Sequence, residues 1–143
     1  MPEGAELNYI LKQQLLTGEE LLTLIQEVFI PVGFTEFRLT GSEPLLRPGM
    51  VELVKEIANF AQTQDLAMTT NGFLLAPIAK NLHDAGLIRI NISLDSLDPD
   101  TFEQIMGNHG RGRWQQVWEG TQATYNVGFD PLKLNVFVIN SWC

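Results

Sequence analysis

The sequence predicts an α/β fold in which parallel strands alternate with helices, and three observations predict it. Short apolar-rich runs over Thr35 to Leu39, Leu66 to Thr70, Leu87 to Leu94 and Leu132 to Ile139 are separated by stretches of helical periodicity. The connections are long enough to be helical crossovers, which pair successive strands in parallel and are right-handed in nearly every known case. A chain of 143 residues with 45% hydrophobic content can bury the core of one domain, so residues 1–143 are read as a single unit.

The elements follow in order. Thr17-Gly18-Glu19-Glu20 has the spacing of a capping box, and Leu21, Leu22, Ile25, Val28 and Phe29 continue as one apolar stripe until Pro31 and Gly33. After the first strand, Met50, Leu53, Val54, Ile57, Ala58 and Ala61 recur at helical spacing. The second strand turns at Asn71-Gly72 into a helix over about Ala76 to Asp84, with Gly86 expected as a left-handed cap. Beyond the third strand, Asp98-Pro99 places an N-cap carboxylate before a proline at the first helical position, opening a helix to Met106. Trp114, Val117, Trp118 and Thr121 mark the last helix before the fourth strand, with both tryptophans expected in the core.

Parallel strands are normally apolar on both faces. These alternate instead: Ile88, Ile90, Ile92 and Leu94 oppose Arg89, Asn91 and Ser93, and Leu134, Val136 and Val138 oppose Lys133 and Asn135. Glu36, Arg38 and Thr40 line the first strand, and Thr69 or Thr70 with Asn71 end the second. If the apolar faces meet the helices, the polar groups converge near the carboxyl ends of the strands, where α/β proteins place ligands. The plainer alternative is a polar side that faces water on an open sheet or packs on another domain.

The formal net charge of −8 excludes non-specific binding to nucleic acid or to an anionic membrane surface, so an anionic ligand needs a local basic cluster. Arg38, Arg47 and Lys133 are its candidates. No apolar run approaches the length of a membrane span and the N-terminus lacks a secretory pattern, so the expected location is cytoplasmic. The single cysteine, Cys143, provides no disulfide framework and no metal site.

Arg38-Leu39-Thr40-Gly41-Ser42-Glu43-Pro44-Leu45-Leu46-Arg47 ends a strand in a glycine turn that carries a carboxylate, a proline and flanking arginines, the composition of a ligand loop. Together with Thr69-Thr70-Asn71-Gly72, Asn91-Ile92-Ser93-Leu94-Asp95-Ser96-Leu97-Asp98 and Lys133-Leu134-Asn135-Val136, it resembles successive blocks of the GTP 3′,8-cyclases of molybdenum-cofactor biosynthesis, within the radical S-adenosylmethionine superfamily. The likeness runs in order from Met1 to about Val138. It implies a partial (β/α) TIM barrel cut to about four strands. It also implies S-adenosylmethionine and a [4Fe–4S] cluster as cofactors, and GTP as the small-molecule substrate of a lyase reaction. In that reaction a 5′-deoxyadenosyl radical takes the ribose 3′ hydrogen and the substrate radical closes on C8 of the guanine. By motif, Gly41, Ser42, Glu43, Pro44 and Ser93 would contact S-adenosylmethionine, and Arg38, Thr69 and Lys133 would contact GTP. The resemblance leaves room for a homodimer of the full-length enzyme and assigns no catalytic side chain and no metal ligand to this chain.

Three differences from the family pattern accompany the match. The cluster cysteines of the family lie just upstream of a Met-Pro-Glu-like segment and so before Met1. The distal half with a second cluster is missing, and Asn140 to Cys143 no longer follow the pattern, which makes the expected object an internal fragment of a cyclase. Ser42 replaces the second glycine of the usual pair, a costly exchange if that position needs positive φ or a close approach of the backbone to the ligand, and otherwise a harmless one. An inactive gene copy, or a piece of another radical enzyme, is the alternative, and a four-strand piece is expected to expose sheet edges and an apolar interior. His83 and His109 read as structural or solvated, and the glycine-rich run Gly107 to Arg113 as a helix connector.

Overall fold

A computed structural model describes residues 15–107 and 112–136. Four parallel strands, β1 (Glu36–Leu39), β2 (Asp65–Thr70), β3 (Arg89–Ser93) and β4 (Leu132–Asn135), form one sheet in sequence order. They alternate with α1 (Gly18–Leu24), α2 (Met50–Asn59), α3 (Ala79–Asp84), α4 (Pro99–Met106) and α5 (Arg113–Val127). A π-helical turn over Ile25–Phe29 extends α1, and a 3₁₀ turn over Pro44–Leu46 follows β1. This is the α/β arrangement of parallel βαβ units that the sequence predicts. The fourth strand ends at Asn135, with Val136 already outside it, and the expected continuation over residues 137–139 lies outside the described residues.

Helix boundaries follow local chemistry. Thr17 Oγ1 accepts from the Glu20 N–H (3.2 Å) while the Glu20 carboxylate accepts from the Thr17 N–H (2.7 Å), the reciprocal capping box that the spacing predicts. Asp98 caps α4 by accepting from the Thr101 hydroxyl (2.7 Å) and N–H (2.8 Å), and these bonds hold its carboxyl below its ordinary value of 3.8. Helix α3 is shorter than expected. Its first regular residue is Ala79 rather than Ala76, because Pro77 has no N–H to give and the preceding segment closes tighter turns at Leu75→Gly72 and Ile78→Leu75. Gly86 ends it at φ 102°, as the sequence indicates.

The apolar face of the sheet carries the core. Leu66, Met68, Ile90 and Ile92 are fully buried and cluster with Leu53, Val54 and Ile57 of α2, Ala79 and Leu82 of α3, and Val117 of α5. Each such side chain contributes about 1.5–3 kcal/mol of burial. Helix α5 packs Trp114 and Trp118 half-buried against the core, and its fully covered side adds small residues to them. Its buried positions are Val117, Gly120, Thr121 and Thr124, whose threonine hydroxyls donate to carbonyls one turn back, Thr121 to Val117 and Thr124 to Gly120. Trp114 and Trp118 stack on one another at the half-buried rim, centroids 5.6 Å apart and rings 9° from parallel, and the Trp114 indole donates to the Ser96 carbonyl.

Small residues at α5 permit a close approach to the turn after β2. A Cβ at Gly120 would lie 2.7 Å from the Gly72 carbonyl oxygen and 3.1 Å from Leu75 Cβ. Gly120→Ala is therefore expected to lower the unfolding free energy by about 1–3 kcal/mol in urea titration. Gly18→Ala, whose Cβ meets nothing within 4 Å, should leave the urea midpoint unchanged or raise it.

Candidate functional site

Parallel pairing puts aligned residues on the same side of a sheet. Glu36 aligns with Asp65, Arg38 with Ala67 and Arg89, Thr69 with Asn91 and Lys133, and Ser93 with Asn135. These are four successive rows on the face opposite the core. The strands therefore bring Arg38, Thr69, Ser93 and Lys133 onto one surface with Asn91 between them. From β1 to β4 that surface spans three strand spacings, roughly 14 Å. The open inner face is thus polar. The two-residue period turns the large apolar strand residues to the other side, where Leu134 of the edge strand β4 stays 39% exposed.

The lower rows hold one internal ion pair. Arg89 Nε donates to Asp65 Oδ1 (2.9 Å) and its terminal nitrogen to Asp65 Oδ2, a two-point ion pair with both side chains mostly covered. Hydrogen bonding to Asp65, with a smaller contribution from Glu36, holds the Arg89 guanidinium even more firmly protonated than usual. The rest of the face differs: among the described residues, Arg38, at the β1 end of the Arg89 row, and Thr69, Asn91, Ser93 and Lys133 in the rows above it make no side-chain hydrogen bond or ion pair to another protein group. Arg38 and Lys133 are exposed cations, Asn91 is 9% exposed, and Thr69 and Ser93 are half-buried. Arg47, the third candidate cation, is drawn away. Its guanidinium donates to the Leu16 carbonyl and it lines a separate recess with Leu15, Leu16 and Pro48.

The loop after β1 is built around Gly41 and Glu43. Gly41 adopts φ 146°, in the region L-residues avoid, although a Cβ there would meet nothing within 4 Å, so the requirement is conformational rather than steric. Among the described residues only glycines have positive φ, so Ser42 occupies ordinary backbone and carries none of the strain that a second obligatory glycine position would impose. Gly41 and Ser42 are exposed, and Pro44 is buried. The Glu43 carboxylate faces the end of β2. Oε1 accepts from the Leu45 N–H (3.0 Å) and the Thr70 hydroxyl (2.8 Å), and Oε2 accepts from the Asn71 N–H (2.7 Å). Beside it opens a cleft of about 560 Å³ lined by Glu43, Leu46, Asn71, Phe73, Arg113 and Gln116, with the Arg113 guanidinium 4.8 Å from the Phe73 ring centroid.

The sequence left Thr69 and Thr70 as alternatives for the polar face. The register places Thr69 there, and Thr70, 3% exposed, points to the helix side and serves Glu43. The Asp65–Arg89 pair went unseen, though alternation back from Thr69 through Ala67 reaches Asp65. His83 is exposed, its ring edge-on to Phe129 at 5.0 Å, and His109 lies outside the described residues. Among the described residues no three His, Cys, Asp or Glu side chains group as a metal site, and no helix is long and apolar enough to cross a membrane.

The family model described as the radical SAM superfamily matches residues 5–142, and the chain belongs to that superfamily. It is 78% identical over 139 residues to the GTP 3′,8-cyclase of Nostoc sp. strain PCC 7120 and equally to that of Trichormus variabilis. It is 67% identical to the GTP 3′,8-cyclase of Trichodesmium erythraeum. Each match covers 97% of this chain and 42% of the relative, so the chain spans about two fifths of the length of these proteins.

The paired lower row makes its own prediction. Asp65→Asn is expected to lower the urea midpoint by stranding the Arg89 charge, and adding Arg89→Met should recover part of the loss. Equal midpoints for Asp65→Asn and the parent chain would show that the pair contributes nothing.

Proposed function

We propose that this chain is the part of a GTP 3′,8-cyclase that forms one wall of its ligand cavity, serving the conversion of GTP to (8S)-3′,8-cyclo-7,8-dihydroguanosine 5′-triphosphate. One observation carries the reading: a row of hydroxyl and amide groups, flanked by the cations Arg38 and Lys133, that no other protein group among the described residues engages. Among the described residues no buried side-chain nitrogen or oxygen is left without a partner, so these groups are open to solvent and to an entering ligand. A guanidinium and an ammonium suit the phosphates of a nucleotide, and hydroxyl and amide groups suit its ribose and base edges. The names of the relatives support GTP as that nucleotide.

In this reading Arg38, Thr69 and Lys133 hold GTP. The exposed backbone of Gly41 and Ser42, braced by Pro44, meets the amino-acid end of S-adenosylmethionine, and Ser93 meets the same cofactor from β3. S-adenosylmethionine supplies the radical chemistry, and the chain supplies orientation and charge. The donor set does not fit a [4Fe–4S] cluster, which is held by several cysteine thiolates, because the chain has one cysteine. No step through a cluster is assigned to these residues, and the 143-residue chain by itself is read as inactive.

The test exchanges this segment for the matching 139 residues of the Nostoc enzyme. The chimera is expected to convert GTP, and Arg38→Ala or Lys133→Ala in it should raise the KM for GTP at least about tenfold, as loss of a charge-assisted hydrogen bond does. Arg47→Ala should change that KM far less. An inactive chimera beside an active parent, or a KM indifferent to both Arg38 and Lys133, contradicts the reading.

A further inference from the structure

The carboxylate in the loop has the right composition to receive a ligand ammonium group, yet its geometry points elsewhere. A carboxylate offers about four lone-pair sites. Three of the Glu43 sites are taken within the chain by Leu45 N–H, Thr70 Oγ1 and Asn71 N–H. The bonds to Thr70 and Asn71 bridge 27 and 28 residues of sequence, so they tie the loop after β1 to the end of the neighbouring strand. The network continues on the β2 side. Thr70 Oγ1 accepts from the Gly72 N–H (3.1 Å) and Asn71 Oδ1 accepts from the Phe73 N–H (3.1 Å), so the same contacts shape the turn into α3. On the loop side, Gly41 and Ser42 take part in no turn hydrogen bond among the described residues, and the nearest anchor after them in the chain is Glu43 itself.

We propose that Glu43 is a positioning residue: its carboxylate clasps the Gly41–Ser42 loop to Thr70 and Asn71 at the end of β2, and it acts on S-adenosylmethionine through that loop rather than by touching it. This rests on the reading of the loop as the cofactor's site given above. Thr70 is the informative partner. It faces the helix side of the sheet, away from the polar row, so any effect it has on ligand affinity is indirect, through its bond to Glu43 or through the Gly72 turn it also holds.

The experiment has two arms on the 143-residue chain. In the first, amide hydrogen exchange is measured without ligand. Glu43→Gln replaces one acceptor by an NH₂ donor, and Thr70→Val removes the hydroxyl at nearly constant shape. Each should speed exchange about tenfold or more at the Leu45, Asn71 and Gly72 amides while the Leu66 and Met68 amides of β2 keep their protection. In the second, S-adenosylmethionine is titrated calorimetrically. Glu43→Gln and Thr70→Val should each weaken binding about tenfold, the double variant should be no weaker than either single, and Thr70→Ser should restore parental affinity. Normal affinity in Thr70→Val with a loss in Glu43→Gln alone would mean direct contact and overturn the proposal. Loss of protection across β2 in the variants would overturn it too, because Glu43 would then hold the fold and not the loop. If the parent chain itself fails to bind S-adenosylmethionine, the reading of the loop as the cofactor's site fails, and the exchange arm still decides whether the clasp exists.

Discussion

The site depends on the pairing register of four parallel strands. Side chains alternate with a period of two, so a slip of one residue in any strand would send its polar set into the core and its apolar set out. Leu66, Met68, Ile90 and Ile92, all fully buried against the helices, make such a slip very costly. The core therefore aligns the functional face without contributing an atom to it: Thr69, Asn91 and Lys133 share a row because Met68 and Ile90 are held on the other side.

Charge along that face is graded. At its lower end Glu36 and Asp65 bring two carboxylates beside Arg89, and the ion pair with Asp65 settles most of the local field. Arg38, across the same row from Arg89, and Lys133, one row higher, are cations without an ion pair among the described residues, in a chain whose formal net charge is −8. A local positive frame on an acidic protein favours a particular anion over polyanions in general. The Glu43 carboxylate does not weaken that frame at the row itself, since its oxygens turn to Leu45, Thr70 and Asn71 at the strand end.

Much of this was legible in the sequence where a local rule acts alone. The capping box at Thr17, the Asp98 cap and the left-handed Gly86 each depend on a few neighbouring residues and are found as expected, whereas in β4 the alternation does not translate into burial, because Leu134 is exposed. The misses share a cause: they need knowledge of what lies across from a residue. Which threonine of the Thr69-Thr70 pair faces the ligand side, the Asp65–Arg89 pair and the destination of Arg47 all depend on inter-strand or inter-segment placement. Helix α5 was legible in part: Val117 and Thr121 are buried and Trp114 and Trp118 pack half-buried against the core, but Gly120 and Thr124 on the same close face are small residues that carry no hydrophobic signal. For Ser42 the sequence left the backbone demand open, and the loop answers its conformational part, since the residue has no positive φ.

The central claim is that the polar row receives a nucleotide. Its most direct measurement is an amide chemical-shift map of the chain titrated with GTP. The account predicts shifts concentrated at Arg38, Thr69, Asn91 and Lys133 that disappear in Lys133→Ala. Shifts confined to the helix-side residues, or spread evenly over the surface, would contradict it.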